Sequence, residues 1–140
     1  MNKNLLLGAA VAVVLRGCSS IDPGKVTRPA GTVAFSADRT ELVAEGEKLW
    51  NNPNLGKSGL ACNTCHMGGA QFKKTFKVAY PHKVAMSSSM AGLDKIDAEQ
   101  MVQFCMLAPM KTEPLPWESK DLAALTAYVE DVAQPEFQAK

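Results

Sequence analysis

Two cysteines three positions apart, followed at once by a histidine, carry more chemistry than any other residues in this chain: Cys62-Asn63-Thr64-Cys65-His66. Each thiol can add to a vinyl group of a porphyrin, and the adjacent imidazole then lies under the iron. C-x-x-C-H is the attachment pattern of c-type haem. C-x-x-C also serves zinc and thioredoxin-like redox centres. A structural zinc ribbon needs a second ligand pair at matching spacing, and the sequence has no other C-x-x-C. A thioredoxin-like site sits at a strand-to-helix turn within a βαβ pattern, and no such pattern is visible. The expectation is one covalent haem c bound by Cys62 and Cys65, with His66 on the iron.

The second iron ligand decides what such a haem does. Of the four cysteines, two hold haem and Cys18 falls at the end of a leader, which leaves Cys105. A lone thiol in an exported protein asks for a purpose, although a buried cysteine is also a common core residue. Cys105 stands just before Pro109, Pro114 and Pro116, where cytochromes c present their distal ligand. It is the first choice. Met110 and Met106 compete as thioethers, followed by Met86, Met90 and the imidazole of His82; with seven methionines in the chain, most must be packing residues.

The opening residues read as targeting rather than fold. Lys3 gives a positive start, and Leu5 to Leu15 form an apolar run too short to span a bilayer comfortably. Leu15-Arg16-Gly17-Cys18 resembles a lipobox, with Arg16 an unusual occupant. Residues 1–17 are thus expected as a signal peptide, with Cys18 lipidated and the product anchored to a membrane in the periplasm. The rival is an ordinary secretory signal cut after Ala10-Val11-Ala12. Residues 18–36, with Pro23, Gly24, Pro29 and Gly31, read as a flexible tether. Residues 37–140 suit one small domain, marginal in core unless a buried porphyrin adds apolar surface.

The elements that must position the site follow from periodicity. Leu42, Val43, Gly46, Leu49 and Trp50 mark one face of a helix from Asp38 to Trp50, stopped by Asn51-Asn52-Pro53. Gly68-Gly69 break any helix begun at the motif, and residues 70–92 read as a long loop. Asp97-Ala98-Glu99-Gln100 is a capping box opening a helix through about Leu107. The prolines force an extended segment. A last helix starts near Ser119, striped by Leu122, Leu125, Val129 and Val132, with Pro135 placed beyond its end. The order is that of an all-α, class I cytochrome c-like fold with crossing terminal helices. Gly46 permits the approach, and Trp50 and Tyr128 pack nearby.

Three stretches resemble the haem domains of the SoxA and thiosulfate dehydrogenase group. They are Gly46 to Trp50 with Leu60 to His66, Gln103-Phe104-Cys105-Met106, and Glu113 to Ser119 with Leu122 to Val129. The resemblance implies iron held by His66 and the Cys105 thiolate, at a haem where thiosulfate is oxidised or conjugated. A thiolate favours ferric iron, whereas methionine raises the potential. Relatives carry a second haem or pair with a second cytochrome, and their sites hold the sulfur oxyanion with arginine next to the cysteine. Here Met106 stands at that position, and no arginine follows Arg39.

Charge adds a partner. The formal net charge is only +1, which gives no reason to expect nucleic acid. Yet no acidic residue occurs from Lys48 to Leu93, while Lys48, Lys57, Lys73, Lys74, Lys77 and Lys83 all do. That basic span either steers an acidic redox protein or anionic substrate to the haem edge, or balances the haem propionates. The leading expectation is a monohaem electron carrier in thiosulfate oxidation. A catalytic subunit with Cys105 meeting thiosulfate is the alternative, and a haem sensor with an open sixth site is a third reading.

Overall fold

The computed structural model describes residues 21–140; the expected signal peptide, the lipobox and Cys18 lie outside them. Among the described residues the chain is helical, with one isolated bridge in place of any sheet, between His82 and Ile96. Helix α1 spans Arg39–Trp50, with Asp38 one residue ahead as its cap. The Asp38 carboxylate accepts from the Thr40 and Glu41 amides at 2.9 and 3.1 Å, satisfying donors that a helix start leaves open. At the other end, the Asn51 side chain donates to the Glu47 carbonyl and accepts from Asn63 at 2.8 Å. That second bond ties the end of α1 to the haem-motif helix α2, Cys62–His66.

Helix α3 spans Ala85–Ala91, α4 Ala98–Leu107 and α5 Lys120–Tyr128. The capping box at α4 forms as expected: Asp97 accepts from the Gln100 amide at 2.7 Å, and Gln100 accepts in return from the Asp97 amide at 3.1 Å. Helices α1 and α5 cross at Gly46. A Cβ there would lie 2.2 Å from the Ala124 carbonyl oxygen and 2.7 Å from the Tyr128 Cβ, so only glycine lets the backbones meet. Trp50 and Tyr128 pack beside the crossing, ring centroids 5.4 Å apart. Around it Trp50, Phe76, Val102, Leu122, Leu125 and Val129 form the main core, each large apolar side chain contributing about 1.5–3 kcal/mol of burial.

Three expectations are corrected. The stretch 70–92 is not one long loop: it holds a 3-10 turn at Lys74–Lys77 and helix α3, whose Ala-Met-Ser-Ser-Ser-Met-Ala carries no strong apolar stripe. Pro135 does not lie beyond the last helix. A π-helical turn at Val129–Ala133 follows α5, with the Gln134 amide reaching back five residues to the Val129 carbonyl, and α6, Gln134–Gln138, takes Pro135 in its first turn. Ala133 and Gln134 ahead of it are themselves helical, so the proline lies inside a continuing helix, directly after the widened turn. Nor is the whole of 18–36 a free tether. Ile21 and Val26 are buried among Ala91 and Phe104, whereas residues 29–36 run largely exposed.

Candidate haem site

The site is built on α2 and the loop that leaves it. Thr64 accepts from the Ala61 amide at 3.0 Å and so fixes the start of the turn that carries Cys62 and Cys65. Gly68 and Gly69, at φ of 63° and 88°, then swing the chain into the left-handed region and end the helix immediately after His66. That turn brings the Ala70 carbonyl to 3.2 Å from His66 Nδ1. A carbonyl only accepts, so Nδ1 carries the proton and Nε2 is the nitrogen available to a metal. The ring is further held between Phe72, stacked at 4.1 Å and 10°, and Trp50 at 5.7 Å. Burial holds the imidazole below its usual 6.5, which favours the neutral form that binds iron.

Cys105 lies in the last turn of α4. Its thiol is pushed up to about 12, first by burial and then by the neighbouring Cys62 and Cys65. Cys62 is likewise pushed up to about 11 by burial. The thiols are near enough to feel one another, yet among the described residues no three His, Cys, Asp or Glu side chains gather tightly enough to hold a bare metal ion. Deprotonating Cys105 in such surroundings requires a cation at the sulfur.

The alternatives for the second ligand occupy different surroundings. Met106 and Met110 are both buried. The Met110 carbonyl accepts from the Lys57 and Ser58 amides at 2.9 and 3.2 Å, and Gly56 passes so close that a Cβ would meet that carbonyl oxygen at 2.5 Å. Met90 packs with Ala91 and Phe104, while Met86 is 44% exposed. His82 is buried in the bridge to Ile96.

Sequence reasoning missed several positioning residues. Gln103 is fully buried, and its amide both donates to the Leu115 carbonyl at 2.7 Å and accepts from the Leu115 amide at 2.8 Å. It thereby clamps the proline-rich segment to α4, two residues from Cys105. Gln134 donates to the carbonyls of Phe76 and Val78 at 3.0 Å each. Phe76 stacks on Phe72, the ring that backs His66, at 3.9 Å.

Four buried side-chain polar atoms among the described residues have no partner in the protein: Arg28 Nη1, the Tyr80 and Thr126 hydroxyls and His82 Nδ1; the Tyr80 and His82 rings stack at 4.2 Å. Tyr80 is raised by burial and then by Cys105, so it borders the same site. An unpaired buried donor of this kind costs about 1–3 kcal/mol, and a porphyrin brings the carboxylates it lacks. The residues therefore fit haem c: Cys62 and Cys65 would take its vinyl groups and His66 its iron, with the unpaired Tyr80 hydroxyl close by. A cleft of about 280 Å³ beside His66 is lined by Trp50, Phe72, Tyr128 and Phe137 and by none of the cysteines.

No curated protein and no solved structure matches the chain. The model of one family, described as the SoxA/TsdA cytochrome c domain, matches residues 45–136, which include the haem motif, α4 and the crossing at Gly46. A domain of this kind is a c-type cytochrome with covalently bound haem c, serving electron transport in sulfur oxidation. Crossed terminal helices, a C-x-x-C-H turn with its imidazole pinned through Nδ1, and a match over more than half the chain agree: the protein belongs to the SoxA/TsdA cytochrome c domain family.

Proposed function

We propose that this protein is a periplasmic, lipid-anchored monohaem cytochrome c that carries single electrons in thiosulfate oxidation, with its iron held by His66 and Cys105. Bound haem c supplies a one-electron ferric/ferrous couple. His66 contributes a neutral imidazole oriented by Ala70, Phe72 and Trp50. Cys105 would contribute a thiolate, its proton released to solvent when iron binds, and that negative charge lowers the potential relative to methionine. The exposed lysines Lys73, Lys74 and Lys77 offer a basic docking face for a redox partner such as a second cytochrome. Cys18 anchors the chain to the membrane on this reading.

What supports the ligand assignment is the place of Cys105 in the last turn of α4, near enough to Cys62 and Cys65 that they add to burial in raising its thiol. Electron paramagnetic resonance of the ferric protein tests it. Cys105→Ala is expected to abolish a low-spin thiolate signal and to raise the potential by on the order of 100 mV or more, given the span that axial ligands command. An unchanged spectrum would remove Cys105 from the iron.

The catalytic alternative, with the Cys105 sulfur meeting thiosulfate, draws on the family. It ranks second because the position after Cys105 is the buried Met106, and the exposed Lys111 lacks a guanidinium's two-pronged grip. Turnover of thiosulfate with an artificial acceptor, lost in Cys105→Ala, would reverse that order.

A further inference from the structure

Residues 21–28 lie outside the span that the family model matches, yet they are bound to the elements around Cys105. The Ile21 amide donates to the Met90 carbonyl in α3 at 3.1 Å, and Ile21 and Val26 are buried against Ala91 and Phe104. Thr27 accepts from Gln100 at 3.4 Å. Arg28 then makes a two-pronged pair with Glu99 in the first turn of α4, Nε to Oε2 at 3.0 Å and Nη2 to Oε1. Both side chains are only about one-fifth exposed, at 22% and 19%. The same guanidinium lies 5.3 Å over the ring of Trp117.

Those contacts close a loop. The chain leaves α4 at Leu107, turns through residues 108–113, and returns as the segment that ends at Trp117. Inside the turn the Met110 amide donates to the Cys105 carbonyl at 3.0 Å, and the Thr112 amide to that of Met106 at 2.9 Å. Gln103 joins the two legs from within, at Leu115. Arg28 joins them from outside, Glu99 on one leg and Trp117 on the other. The pair is bidentate and partly buried, with an aromatic face beneath the guanidinium and only Nη1 left without a partner, so it holds more firmly than a single-bonded surface pair.

We propose that residues 21–28 are a strap, with Arg28 as its pin, that holds the Cys105-bearing turn rigid and so makes Arg28 a positioning residue for the sulfur ligand. This rests on the His66/Cys105 reading. A slack turn lets the sulfur leave the iron more often and lets the neighbouring Met106 and Met110 compete for the position.

The test uses the full-length holoprotein with Arg28→Ala, Arg28→Lys and, as a control, Arg39→Ala, which breaks surface pairs with Glu130 and Asp131 far from Cys105 in sequence. Arg28→Ala is expected to speed hydrogen exchange at the Met110 and Thr112 amides about tenfold, since local opening governs exchange. It should also add a second low-spin species to the ferric spectrum and quicken carbon monoxide binding to the ferrous protein several-fold. Arg28→Lys should fall between, because an ammonium cannot fork. Arg39→Ala should lower thermal stability and leave all three readouts unchanged. Wild-type exchange rates and spectrum in Arg28→Ala would overturn the strap. If instead Cys105→Ala alone leaves the spectrum unaltered, the ligand reading falls, and the amide rates still decide whether Arg28 holds the turn.

Discussion

His66 and His82 share one property and put it to different ends. Both are held below the usual 6.5, chiefly by burial. A lowered histidine pKa means that the unfolded chain takes up a proton at a pH where the folded chain does not. Stability is therefore fully present above 6.5 and declines as pH falls from there toward the lower folded values, by at most about 1.4 kcal/mol per pH unit for each group. For the apoprotein, urea unfolding between pH 7 and pH 5 is expected to show this slope, and His82→Gln should remove part of it. In the holoprotein, iron on His66 should extend the resistance to lower pH. The motif itself was plain in the sequence, because covalent attachment demands two thiols and an imidazole at fixed spacing. Gln103 and Gln134 were not, since a glutamine's task depends on which carbonyl the fold delivers to it.

Helices declared themselves where caps and stripes agreed. Asp38, the Asp97–Gln100 box and Ser119 each stand where a helix begins, and each accepts a bond from the first turn. Helix α3 escaped notice because its serines satisfy themselves locally: the Ser87 and Ser88 hydroxyls, with one proton each, both lie within hydrogen-bond reach of the Val84 and Leu93 carbonyls, and no apolar period advertises the helix. The crossing of α1 and α5 tests the architecture directly. Gly46→Ala forces a methyl group into the Ala124 carbonyl, so the helices must part. The expected cost is roughly 2–4 kcal/mol, at the upper end of overpacking penalties, read as a lower urea midpoint together with a weaker Trp50–Tyr128 contact in near-ultraviolet circular dichroism.

For the molecule as a whole, the acid-free span from Lys48 to Leu93 places its lysines outside and its aromatic rings inside. Lys73, Lys74 and Lys77 are all exposed, flanking the Phe72 and Phe76 rings that back His66. Replacing the three with glutamine is expected to slow association with an acidic redox partner about tenfold at low ionic strength and to flatten its salt dependence, while leaving the potential nearly unchanged. Stopped-flow reduction across a salt series measures both. Net charge concealed this asymmetry; only the order of residues along the chain disclosed it.

The widened turn at Val129–Ala133 has an effect well beyond its five residues. One extra residue in a helical turn rotates everything downstream by roughly 100° about the axis. With that rotation Gln134 and Gln138, one turn apart, both reach the carbonyls of residues 76–78, and Phe137 meets the edge of Phe72. Excising a single residue there would return the helix to its regular phase and carry the glutamines off those carbonyls. The imidazole's aromatic backing would lose its brace without a single residue of the haem motif having changed.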